Sequence, residues 1–336
     1  MRHLSVIAFL FALLLLVSCS SSEAPEPPPP PPPEPDWLWV SVWGEHKVLG
    51  FDPDQQKEGA SGAQAAIVVN LGAGRAPYGM DFDADGNLWV GTQEGELLAY
   101  AAEDLHQSGA PTPFKELGTG APHVAGVRFA PNGWLWAAVQ GKVLGWSPTR
   151  LTAAGKPEPN VTLTSASAYM TEYPNDLVFD EDGNMWLVGT GAVLMFARSQ
   201  LVSSGAVMPE VVIASDGESL NGVMGLAFDA GGDLWVTAYT GGRIERFARD
   251  DLAASGTPTP AVSLSPPGIG PMRLAFDADD GLWVTTVFTP GFGDFGHMAM
   301  IAPADREVSG PAPASVEMTP LGNIDAGGTI VFHPRP

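Results

Sequence analysis

The chain has 336 residues, 45% hydrophobic and only 16% charged, with 38 acidic side chains against 16 basic ones and a formal net charge of −22. A negative surface of that size repels phosphate backbones and anionic headgroups, which excludes nucleic acid as a partner class, and the apolar content suffices for a large core. The single cysteine, Cys19, leaves no disulfide and no cysteine metal centre for a folded domain.

Residues 1–18 read as a bacterial lipoprotein signal peptide. Arg2 supplies the positive start, Leu4 to Val17 an apolar run too short to span comfortably, and Leu16-Val17-Ser18-Cys19 the lipobox. Cys19 is then the lipidated N-terminus, and the membrane a partner through that lipid. The expected location is the bacterial cell envelope, on the outer membrane if the cell is Gram-negative. Residues 19–36 follow as a tether. Pro27 to Pro33 are seven consecutive prolines, which favour polyproline II at about 3.1 Å per residue and make a stiff spacer of roughly 30–40 Å.

From residue 37 to 336 one phrase returns. FDADGNLWV (Phe82 to Val90) recurs as FAPNGWLWA (Phe129 to Ala137), FDEDGNMWL (Phe179 to Leu187), FDAGGDLWV (Phe228 to Val236) and FDADDGLWV (Phe276 to Val284). Successive Phe residues lie 47, 50, 49 and 48 apart, a period in the range of propeller blades. Each copy predicts a hairpin: strand a ends in Phe, Asp and Gly make the turn, and strand b carries the Trp. A third strand, c, follows, such as ELLAY (Glu96 to Tyr100). A Leu-x3-Gly-x3-Pro segment comes next; around Leu252 it reads as one helical turn with Gly256 at its C-terminal cap. Strand d ends the unit.

The termini complete one another. Asp36 to Asp52 holds strands b and c without a strand a, and Gly328 to Pro336 is a strand a with nothing after it. The expected fold is therefore all-β, a monomeric six-bladed β-propeller of four antiparallel strands per blade, its ring closed by strands from both termini. The a–b and c–d turns share a near face, where the tether enters; the d–a and b–c loops share the far face, turned away from the membrane. The last repeat has a long b–c loop on that far face, Phe288 to His297, with Phe292 and Phe295 inside it. The periodic Trp residues read as core anchors rather than sugar platforms.

With its D-x-x-G-N-L-W-V phrase, the chain resembles the six-bladed propellers of the NHL and SMP-30/gluconolactonase-like group. The resemblance implies a divalent metal, calcium or another cation, held in the central channel by Glu, Asn and Asp. Tyr173 to Gly183 resembles the phrase that carries one ligand Asn, making Asn175 a candidate, and Asn221 is a looser match to a second. The carboxylate expected three residues after the strand-b Trp is missing, those places holding Val42, Thr92, Val139, Gly189, Ala238 and Thr286. A hard cation would then need Asp176, Glu172 or Asp325 instead. Streptogramin-lyase-like propellers rely on His and Glu, and only His123 among the mature histidines enters a strand a from the far side. Tyr78, His123, Asn175, Asp176, Asn221 and Met272 are the candidates for the channel and binding site, with Phe288, Phe292, Phe295 and His297 on the long loop. The function expected from this set is a non-catalytic binding or scaffold module for a protein, peptide or glycan. The alternative is a metal-dependent hydrolase or lactonase of SMP-30-like type with a degenerate or substituted site.

Overall fold

Alternating apolar residues between Gly-containing turns produce strands throughout, and the only α-helix among the described residues is one turn, Pro148–Thr152. The structure, a computed structural model, describes residues 36–57, 64–165, 167–169, 174–266, 269–288, 297–318 and 328–334. The signal peptide, Cys19, the proline spacer, Glu172, Asp325, Phe292 and Phe295 lie outside them. Phe288 and His297 are described as strand ends, without their side chains.

The strands form six antiparallel sheets arranged as the blades of a β-propeller. Blade 1 is the closing blade. Its inner strand, Ile330–Pro334, pairs with Asp36–Val42 from Val40↔Ile330 to Asp36↔Pro334, and Lys47–Phe51 and Ile67–Asn70 complete it. Blades 2 to 6 start on Pro77–Phe82, Gly126–Phe129, Leu177–Phe179, Val223–Phe228 and Ile269–Phe276. Each of these inner strands pairs with the Trp strand that follows it in sequence.

The core lies between blades, and the repeated phrase builds it. Trp39 packs against Phe82 of the next blade with ring centroids 5.5 Å apart, and Trp89 against Phe129 at 6.1 Å. Trp186 meets Phe228 at 5.9 Å, Trp235 meets Phe276 at 6.1 Å, and Trp283 meets Phe332 of blade 1 at 5.9 Å. At these five junctions a blade offers its Phe backwards and its Trp forwards around the ring.

The turn aspartates serve the same packing. Asp83 Oδ1 accepts the backbone N–H groups of Asp85 and Asn87, while Oδ2 accepts the indole N–H of Trp89 at 2.9 Å. Asp180 does the same for Trp186, Asp229 for Trp235 and Asp277 for Trp283. Blade 1 carries His333 at this place, and the buried indole nitrogen of Trp39 has no acceptor among the described residues.

The Leu-x3-Gly-x3-Pro segment departs from expectation. Around Leu252 it is a 3₁₀ turn, Arg249–Leu252, and Gly256 lies beyond that turn instead of capping it. Gly256 bridges in parallel to Ile213 on the outer strand of the preceding blade, and Ser255 Oγ accepts Val212 N–H at 3.0 Å. Ser108-Gly109 holds Val68 and Val69 in the same way. Ser204-Gly205 clasps the strand of Thr162, and Ser309-Gly310 that of Ser263. The outermost strand of a blade leaves backbone groups unpaired, and the Ser-Gly pair of the next blade satisfies them.

Candidate functional site

The inner strands line the channel, so offsets from the repeated Phe define its levels. Four residues before Phe stand Tyr78, Ala125, Asn175, Met224, Met272 and Gly328, at the far mouth. One residue further in come Gly79, Gly126, Asp176, Gly225, Arg273 and Thr329. Next to the Phe stand Asp81, Arg128, Val178, Ala227, Ala275 and Val331. The near end holds a cavity of about 440 Å³ lined by the Phe residues of five inner strands, with Asp81 and Arg128 as its charged groups.

Bulges aim the mouth residues. Pairing slips between Pro77 and Met80, between Val223 and Leu226, and between Pro271 and Leu274, which turns Tyr78, Met224, Met272 and Arg273 out of regular alternation. Backbone groups freed by the bulges meet hydroxyls two residues past the Trp. Thr237 Oγ1 accepts Gly225 N–H at 2.8 Å and donates to the Met272 carbonyl at 2.9 Å. Thr285 accepts Arg273 N–H and donates to the Gly328 carbonyl; Ser41 accepts Thr329 N–H and donates to the Tyr78 carbonyl. Each hydroxyl ties its own blade to the next one.

A polar column runs down the channel. Asp81 accepts the backbone N–H groups of Phe82 and, from the next blade, Phe129 at 2.8 Å, and burial raises its pKa above the usual carboxylate value. Arg128 donates to the Met80 carbonyl at 2.9 Å and stands 3.5 Å from Asp176. Asp176, 1% exposed, accepts Leu177 N–H and, across the blade boundary, Leu226 N–H. Arg273, 2% exposed, donates through Nη1 to the Met224 carbonyl of blade 5. Burial lowers its pKa, with Asp176 pulling it back up.

The far face adds aromatic rings. Trp43 and Tyr78 have centroids 6.3 Å apart, and Tyr78 and His123 5.9 Å. Gln93 fixes this run, accepting the Trp43 indole N–H at 2.7 Å through its side chain and His123 N–H at 2.9 Å through its carbonyl. His123 sits at φ 58°, a left-handed conformation, with its ring beside that of Tyr78. Burial raises the Tyr78 hydroxyl above its ordinary value, and Arg273 is the cation that acts against that rise.

Of the residues expected from sequence, Tyr78, His123, Asn175, Asp176 and Met272 come together at the mouth and the level below it. Asn175 Nδ2 contacts the Met224 sulfur at 3.2 Å. Asn221 is exposed, and its amide donates to the Glu218 carbonyl of its own loop at 2.9 Å. The two asparagines proposed as metal ligands therefore make contacts in separate places. Among the described residues no three His, Cys, Asp or Glu side chains are grouped to hold a metal ion. Sequence reading missed Arg128, Arg273, Met224 and Trp43. The signal for Arg273 was available, since the matching place in blades 2, 3 and 5 is Gly.

No family model matches the chain, and no curated protein matches it. Solved structures do. A protein of unknown function from Bacteroides caccae aligns with a TM-score of 0.57 and 12% identity, covering 88% of this chain and 99% of that one. The virginiamycin B lyase of Staphylococcus aureus aligns with a TM-score of 0.55 and 13% identity over 90% of this chain and 92% of that one. A catalytically inactive variant of that lyase with quinupristin gives 0.51 and 13% over 80% and 92%. The chain is a six-bladed β-propeller with the virginiamycin B lyase among its structural neighbours. At such identities the likeness is one of fold, and a fold shared by a lyase and a protein of unknown function leaves activity to the site.

Proposed function

We propose that this is a propeller held on the bacterial envelope through Cys19, binding a protein, peptide or glycan ligand non-covalently at its far face. The observation that carries the reading is the aromatic run Trp43, Tyr78 and His123 leading into a channel mouth of Asn175, Met224 and Met272. Aromatic faces beside a few fixed donors suit recognition. The described carboxylates of the channel are already engaged: Asp176 holds two backbone N–H groups and faces Arg128, and Asp81, at the near end, holds two more. Groups so committed hold blades together and are poorly placed to move protons.

The alternative, a metal-dependent hydrolase or lactonase, draws its support from the fold shared with a lyase. Metal analysis of the purified chain together with lactone turnover separates the two. Binding on a glycan and peptide array that is lost in Trp43→Ala and Tyr78→Ala, with neither bound metal nor turnover, supports the binding module. A stoichiometric divalent ion that disappears in Asn175→Ala, together with turnover, replaces it with the enzyme.

A further inference from the structure

We propose that the far mouth of the channel binds a carboxylate, held by the Arg273 guanidinium. The inference rests on the binding reading above and gives the ligand its chemical class.

Arg273 occupies a level of the channel where three other blades carry Gly, and it is 2% exposed. A buried cation at such a place is costly unless something compensates it. The fold supplies only part of that compensation. Nη1 reaches the Met224 carbonyl, the Nε–H has no acceptor among the described residues, and no described carboxylate stands at ion-pair distance. Asp176 attracts it through space, but its own oxygens are taken by Leu177, Leu226 and Arg128. Down the channel the charges alternate, Arg273, Asp176, Arg128, Asp81, and among the described residues the outermost member is the cation without a bonded anion.

Its surroundings complete a receptor. The Met224 carbonyl that accepts Arg273 stands four residues before Phe228, so the guanidinium lies at the mouth level with Tyr78, Asn175 and Met272. The sulfur of the same Met224 meets the Asn175 amide. A guanidinium edge offers parallel N–H donors that match the two oxygens of a carboxylate. The Tyr78 hydroxyl adds a donor, and Met224, Met272 and the Tyr78 ring would cover an apolar group attached to the carboxylate. A single guanidinium suits a monoanion.

The test titrates the full chain with 3-phenylpropionate and, separately, with 3-phenylpropionamide, following arginine Nε–H resonances by NMR. Arg273→Lys, which keeps the charge, identifies the Arg273 signal by its loss. The expected result is a saturable shift of that signal with the acid, affinity weaker by about tenfold for the amide, and weakening of the acid alone in Tyr78→Phe. Equal affinities for acid and amide would overturn the carboxylate assignment while leaving a binding mouth in place. No saturable shift with either probe, or unchanged acid binding in Arg273→Lys, also overturns it. Metal-dependent lactone turnover, by contrast, would remove the binding reading itself.

Discussion

Trp235 donates its indole N–H to Asp229 Oδ2 at 2.8 Å, and the other oxygen of the same carboxylate closes the turn by accepting Gly231 N–H at 2.9 Å and Asp233 N–H at 3.0 Å. One side chain thus ties the near-face turn to the aromatic that packs the next blade. Asp229→Ala would strand a fully buried indole N–H and open the turn, a loss expected at about 2–3 kcal/mol. Guanidinium denaturation midpoints measure it, and Asp229→Asn, which keeps one acceptor, should recover part.

Arg306 stands where the other repeats place a Leu, buried at Leu105, Leu201 and Leu252 and partly buried at Leu151, and it is 4% exposed. It pairs with Asp280, itself at φ 64° where four other turns have Gly, and lies over Phe276 at 4.8 Å and Trp235 at 5.5 Å. Its Nε and Nη1 have no partner among the described residues. A buried cation satisfied only in part, here by a carboxylate that is itself partly exposed, is often matched by an apolar residue of similar size. Arg306→Leu should therefore leave the denaturation midpoint unchanged or raise it, whereas Arg306→Ala, which opens a cavity, should cost about 2–3 kcal/mol.

Close approach of inner strands makes Gly225 sensitive. A Cβ there would sit 2.5 Å from the Met272 carbonyl oxygen and 2.9 Å from Arg273 Cα, backbone atoms of the next blade. Gly225→Ala is expected to cost at least about 1–3 kcal/mol by forcing blades 5 and 6 apart. Gly118→Ala, where nothing lies within 4 Å, serves as the control and should be close to neutral in the same melt.

Glu245 is 1% exposed, accepts Leu220 N–H at 2.9 Å, and has its pKa raised chiefly by burial. A carboxyl whose folded pKa lies above its unfolded value stabilises the fold while protonated and loses that contribution as pH rises through the folded value. Glu245→Gln keeps an acceptor for Leu220 and cannot ionise. Its stability relative to the parent should therefore be higher at pH 7 than at pH 4, as read from urea midpoints at the two pH values.

Repetition made the scaffold legible. Phe-x6-Trp recurs because every blade meets its neighbour in the same way, so blade number, hairpins and the closure by both termini follow from spacing alone. The Ser-Gly clasp was present in sequence but read as a helix cap, since the strand it covers belongs to another blade. The channel resisted for the opposite reason. Arg128 shares its offset with Asp81, and Arg273 shares one with Asp176, while most other repeats carry Gly, Val or Ala there, and only the ring brings these charges together. Tyr78, Asn175 and Met272 were singled out separately; the shared offset from Phe explains why they meet.

Because Ile330–Pro334 is the inner strand of the first blade, the order of synthesis and the order of assembly run against each other. Asp36–Val42 is made early and must wait, one backbone edge exposed, until nearly three hundred later residues have emerged. A chain cut short before Ile330 would keep Leu38, Trp39 and Val40 on an open edge, a template for pairing with another unfinished copy. Ile330–Pro334, the strand that closes the ring, is thus also what distinguishes a closed molecule from one prone to aggregate.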